Sequence, residues 1–144
     1  MAEGLTPAPR YPLEATWPHG SDRSSPSRTS PTSRSIRFYA DLGFRAARTV
    51  PPGGTAPVWA WLESDAARLM VGQASAPVDP SAQAVLFYLY VDDVRDAHAA
   101  LVRSGHAPGA IRHPPHMPAG EFRLEDPDGY VLMLAQVDAD SNNR

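Results

Sequence analysis

The chain contains no cysteine. Disulfides, thiolate metal sites and cysteine nucleophiles are therefore excluded. It also lacks lysine, so all 13 basic residues are arginine. That bias points to a GC-rich coding sequence and says nothing about mechanism. No apolar run approaches the ~20 residues that a membrane span requires, and the N-terminus lacks the apolar core of a signal peptide. The net charge of −3 comes without a basic cluster, which argues against nucleic acid as a partner. Gly-x-Ser-x-Gly elbows, phosphate-binding loops and dinucleotide fingerprints are absent as well. What remains is a chain of 144 residues, 42% hydrophobic and 20% charged, with room for one domain and a real core. A cytoplasmic location is the expectation.

Residues 1–34 differ from the rest. The stretch from Ser21 to Arg34 is rich in Ser, Thr, Pro and Arg and has no apolar residue. Such a composition predicts disorder, because it cannot bury enough surface to offset the entropy of ordering. Leu5, Tyr11, Leu13 and Trp17 upstream of it could at most dock locally. The reading is a tail over 1–34, a folded domain over 35–137 and a short tail over 138–144.

Regular patterning begins at Ser35. Ile36, Tyr39 and Leu42 share a helical face, and Gly43 suits a left-handed cap. Residues 57–62 and 67–72 read as strands around the turn 63–66. An apolar strand is predicted over 84–91. Asp92-Asp93 then caps a helix whose face is Val94, Ala97 and Leu101, ending at Gly105. Further strands are expected near 109–112, 120–124 and 130–136, the last two joined by the Asp126-Pro127-Asp128-Gly129 turn. The fold class is α+β: paired βαβββ modules forming a curved mixed sheet around a cleft, the first without an evident leading strand.

Two segments, Ser35-Ile36-Arg37-Phe38-Tyr39-Ala40-Asp41-Leu42-Gly43-Phe44 and Glu125-Asp126-Pro127-Asp128-Gly129-Tyr130-Val131-Leu132-Met133-Leu134, resemble motifs of the vicinal oxygen chelate superfamily. That superfamily includes glyoxalases, bleomycin-resistance proteins and extradiol dioxygenases, and the resemblance covers roughly 34–137. It implies a leading strand where this chain has Ser24–Arg34. A misread start of the coding sequence and a genuine divergent tail both account for that difference.

Alternation within the strands predicts which side chains turn away from the helices. With the first hairpin pairing Trp61 to Arg68 and the second pairing Phe122 to Met133, that face collects Trp59, Trp61, Arg68, Met70, Leu86, Tyr88, Tyr90, Phe122 and Met133, with Leu124 and Val131 beside them. Such a surface suits a small aromatic or apolar ligand. Arg68 could pair an anion or lie over an indole. The competing reading of each aromatic is core or subunit interface.

The resemblance further implies four metal-ligand positions in the metal-dependent members. They fall on Ser24, Met70, Leu86 and Met133. A thioether suits only soft ions and a leucine suits none, so neither metal nor cofactor is expected. His113 and His116 form an i, i+3 pair near Glu121, but two prolines between them oppose a converging geometry. His98 and His106 have no partner in sequence. The expected function is metal-independent binding of a small molecule, similar to bleomycin-resistance proteins and, by that resemblance, as a homodimer with the groove between protomers. The alternatives are a glyoxalase- or dioxygenase-type enzyme, and a non-catalytic dimeric module.

Overall fold

The computed structural model describes residues 31–65 and 67–136. Its elements are α1 (Pro31–Asp41), β1 (Arg45–Val50), β2 (Trp59–Glu63), β3 (Arg68–Gly72), β4 (Leu86–Val91), α2 (Val94–Arg103), β5 (Glu121–Glu125) and β6 (Val131–Gln136), with a short 3-10 turn at Pro80–Ala82 before β4. The strands form two three-stranded sheets, ordered β1-β2-β3 and β4-β6-β5. β4 runs parallel to β6, and every other pairing is antiparallel. The architecture is α+β.

Both helices end in one way. Phe44 N–H bonds Tyr39 O and Gly43 N–H bonds Ala40 O, each at 3.0 Å. Gly43 lies at φ 85°, which only glycine adopts without strain, and this completes a Schellman cap. The Phe44 ring packs edge-on to Tyr39 at 5.9 Å. In α2, His106 N–H to Leu101 O and Gly105 N–H to Val102 O repeat the pattern at 3.0 Å. Asp93 caps the start of α2, its Oδ1 accepting from the N–H groups of Arg95 and Asp96.

Four expectations change. α1 starts at Pro31, so residues 31–34, assigned to the tail, are helical; proline suits the first helical position, and Ser35 Oγ donates back to Pro31 O at 3.2 Å. The rest of that tail, and the tail over 138–144, lie outside the described residues. β1 supplies a third strand of the first module to which no range was assigned, because Arg45–Val50 shows no alternation and is largely exposed; it forms as an edge strand along β2, with a bulge between Ala46 and Arg48. The predicted strand near 109–112 reduces to one bridge, Arg112 with Glu121.

Register supplies the last correction. Trp61 pairs with Met70 and Glu63 with Arg68, two residues from the expected pairing, so every side chain keeps its face. In the second hairpin Phe122 pairs with Leu134 and Leu124 with Leu132, one residue from the expectation. Asp126 Oδ1 accepts from the N–H groups of Asp128 and Tyr130, both at 2.9 Å, and Gly129 at φ 83° adds the extra residue. A shift of one exchanges faces.

The core gathers Phe38, Tyr39 and Phe44 with Ala60 and Leu62 of the first sheet, Val94 and Leu101 of α2, and Phe122, Leu124, Leu132 and Leu134 of the second. Polar bonds cross between the halves within it and at its margin. Tyr39 OH donates to Asp126 Oδ2 at 3.1 Å, and His106 Nε2 lies 2.8 Å from Asp41 Oδ2 with its ring edge-on to Phe38. Burial, then the Asp126 charge, hold the Tyr39 hydroxyl well above its ordinary pKa. Burial also raises Asp126, against the backbone N–H groups that it accepts.

A raised tyrosine in the folded state contributes stability below the unfolded value of 10.0 and loses it as pH climbs beyond. Thermal melts across the alkaline range should thus fall less steeply above pH 10 in Tyr39→Phe than in the wild type. At neutral pH the same variant should lose about 1–3 kcal/mol, because Asp126 then loses a buried donor.

Candidate binding faces

The helices cover one side of each sheet. The opposite sides carry the side chains of interest in two groups.

On the first sheet lie Trp59, Trp61, Arg68 and Met70, as expected, together with Glu63 and Arg45. Glu63 organises this face: Trp61 Nε1–H donates to its Oε1 at 2.9 Å, Arg45 Nη2 to its Oε2 at 2.8 Å, and Arg68 Nε stands 4.0 Å from Oε1. Arg68 therefore neighbours a carboxylate, and both guanidinium groups remain largely in water, where such pairs contribute little. Met70 is 60% exposed.

The second sheet presents Leu86, Tyr88, Tyr90 and Met133, which the pairing of β4 with β6 sets side by side. Leu86 is 51% and Tyr90 63% exposed. The Tyr88 and Tyr90 rings lie 6.4 Å apart, tilted by 32°. Val131 shares this face; Phe122 and Leu124 do not. Phe122 is 1% exposed and packs edge-on to His98 at 5.0 Å, so it belongs to the core. The one-residue register shift turns Glu121, Arg123 and Glu125 onto the open face in its place.

Glu121 is buried, and among the described residues its two oxygens have only long contacts, 3.5 Å to Tyr88 OH and 3.5 Å to His116 Nε2. At that length each interaction is weak, which leaves the carboxylate able to accept a stronger donor. Desolvation, then the Glu121 charge, raise the pKa of Tyr88. Arg123 is engaged with Glu125 at 2.7 Å. Reading β5 one residue out of register hid Arg123 and Glu125, and Glu63 was assigned only to a turn. The Asp126 side-chain bonds that define the longer turn were the available signal.

The two groups stay apart within one chain. Among the described residues, no hydrogen bond, ion pair or ring contact links Trp59 or Trp61 to Tyr88 or Tyr90. A cavity of about 910 Å³ lies instead between α1, β3 and the 126–130 turn, and of the nine predicted residues Met70 alone borders it. A second, of about 740 Å³, runs from Arg34 and Asp41 to His106 and Arg123 and touches none of them.

Nor do the described residues fit a hard or borderline metal ion. Met70, Leu86 and Met133 offer two thioethers and an alkyl group, and Ser24 lies outside the described residues. His113 Nδ1 turns to Pro118 O at 3.0 Å while His116 faces Glu121, so the pair does not converge. Among the described residues no group of three or more His, Cys, Asp or Glu is placed to hold an ion. His98 Nε2 is occupied by Gly109 O at 3.0 Å.

Two helix-covered modules with open sheet faces define the class of the fold. The model of the Glyoxalase/Bleomycin resistance protein/Dioxygenase superfamily matches residues 28–134, and the chain belongs to that superfamily. Among solved structures it is similar to a bleomycin-binding protein complexed with bleomycin, at 22% identity over 73% of this chain and 88% of that one, TM-score 0.58. An antibiotic-binding protein, TnmS3 from Streptomyces sp. CB03234, matches at 24% identity over 76% and 89%, TM-score 0.58. An integron cassette protein from the mobile metagenome of the Halifax Harbour sewage outfall matches at 20% identity over 75% and 90%, TM-score 0.60. No curated protein sequence matches. Among the described residues no helix is long and apolar enough to cross a membrane.

The register assigns opposite costs to two aromatic truncations. Phe122→Ala should destabilise the protein by about 3–5 kcal/mol, as for a core aromatic. Tyr90→Ala should stay within about 0.5 kcal/mol, as for a surface position. Urea denaturation of the two variants checks both values.

Proposed function

We propose that the protein binds a small aromatic or apolar molecule without a metal, in a cleft formed when two copies pair in the cytoplasm. The first sheet of one protomer would face the second sheet of its partner. The carrying observation is the division of the aromatic and sulfur side chains between two open faces of one chain. Met70, Leu86, Tyr88 and Tyr90 are exposed beyond what a solvated surface needs. A two-fold dimer brings each face to its complement twice, giving two identical clefts.

In this reading Trp59, Trp61, Tyr88 and Tyr90 supply flat apolar surface, Met70, Leu86 and Met133 fill between them, and Arg68 and Glu121 provide polar contacts at the walls. The described structures similar to this chain include proteins that bind bleomycin and another antibiotic, which supports small-molecule sequestration. Glyoxalase- or dioxygenase-type chemistry would need ligating atoms at Met70, Leu86 and Met133, where none but thioethers occur.

Bleomycin is the first probe, read by tryptophan fluorescence and by calorimetry. Trp61→Ala and Tyr88→Ala should each weaken binding by about 30-fold, the loss of an aromatic anchor of about 2 kcal/mol. Refolding the two variants together at equal amounts should restore about a quarter of the wild-type sites, because each mixed dimer regains one intact cleft. No restoration would place both residues in a cleft within one chain. Lost dimerisation in Tyr88→Ala on sedimentation, with no ligand bound by the wild type, would favour a purely structural face.

A further inference from the structure

Among the described residues, Glu121 is a buried carboxylate without a short hydrogen bond. Its side chain is only 10% exposed, yet the donors nearest its oxygens, Tyr88 OH and His116 Nε2, stand at 3.5 Å each. A charge-assisted bond measures about 2.7–2.9 Å. Nor, among the described residues, does any arginine side chain lie within ion-pair distance of it. Arg112, its backbone bridge partner, is exposed, and Arg123, two residues along β5, is held by Glu125 at 2.7 Å. A carboxylate withdrawn from water without a matching cation is costly.

The sheet sets this carboxylate beside aromatic surface. Glu121 and Tyr90 flank Ala135 of the middle strand from opposite sides, and cross-strand partners share a face. Ala135 carries only a methyl group, so the Tyr88 hydroxyl reaches over β6 to Glu121 Oε2. The Tyr88 and Tyr90 rings, 6.4 Å apart, stand on the same side. The two groups that screen the oxygens are themselves accessible, Tyr88 in part and the His116 side chain largely. An incoming group can displace both long contacts without opening the core.

We propose that Glu121 receives a protonated amine carried by the bound molecule, so that the ligand class is an aromatic or apolar amine. This rests on the reading of the open face of the second sheet as a wall of the binding cleft. An ammonium group offers three N–H donors and can bond both carboxylate oxygens at once. The tyrosine rings attract the same charge through their faces, while the apolar body lies along Leu86 and Met133. A neutral ligand would leave the carboxylate unpaired and an anionic one would be repelled, so Glu121 sets specificity by charge. Arg68 on the other open face already neighbours Glu63 at 4.0 Å, which leaves the Glu121 position to a ligand.

Calorimetry on the full chain at neutral pH, with two probes of one shape, naphthylmethylamine and naphthylmethanol, tests the assignment. The wild type should bind the amine at least about tenfold more tightly than the alcohol. In Glu121→Gln that preference should vanish. Tyr88→Phe removes the competing donor at Oε2, so the preference should persist there undiminished. Equal affinities in the wild type, a preference that survives Glu121→Gln, or one lost in Tyr88→Phe would each overturn the proposal. Binding of both probes without preference leaves the aromatic cleft standing and removes only the amine, whereas binding of neither removes both. A preference that survives Glu121→Gln while pairing is lost on sedimentation would assign the carboxylate to the subunit contact instead.

Discussion

The hydrogen bond from Tyr39 to Asp126 is the constraint on which the arrangement of the two halves depends. Asp126 sets the β5–β6 turn with one oxygen and receives the Tyr39 hydroxyl with the other. A single carboxylate thus determines the register of the second sheet and seats α1 of the first module against it. Displacing Asp126 would loosen a turn and a module junction together. The contact of His106 with Asp41 plays a lesser part, joining the two helix ends at a half-exposed site.

That junction explains where the apolar side chains go. The inner side of each sheet meets a helix, so Leu62, Phe122, Leu132 and Leu134 are removed from water within one chain. Among the described residues no helix covers the outer sides. Their tryptophans, tyrosines and methionines are residues whose burial would be favourable. Stability therefore draws on one face of these strands, and the proposed binding on the other.

How legible these faces were depended on the turns. The two helices could be read from their ends alone, because Gly43, Gly105 and Asp93 act through local geometry. The first hairpin tolerated a two-residue error in pairing, since alternation has a period of two, and Trp59, Trp61, Arg68 and Met70 kept their assignment. The second did not tolerate an error of one. Phe122 moved to the core, and Glu121, Arg123 and Glu125 came to the surface, because Gly129 lengthened the turn by a residue. β1 escaped notice because an exposed edge strand needs no apolar alternation; β2 supplies its hydrogen bonds.

By itself, then, the sequence determined the α+β class, the glycine ends of both helices with the Asp93 cap, and the composition of the open face of the first sheet, all of which rest on contacts within a few residues or on strand periodicity. Only the tertiary structure decided that the strands divide into two sheets, that Phe122 is core, and that the tryptophans and tyrosines stand on separate faces. Those outcomes depend on the packing of α1 against the 126–130 turn and on strand register, which residues distant along the chain settle between them.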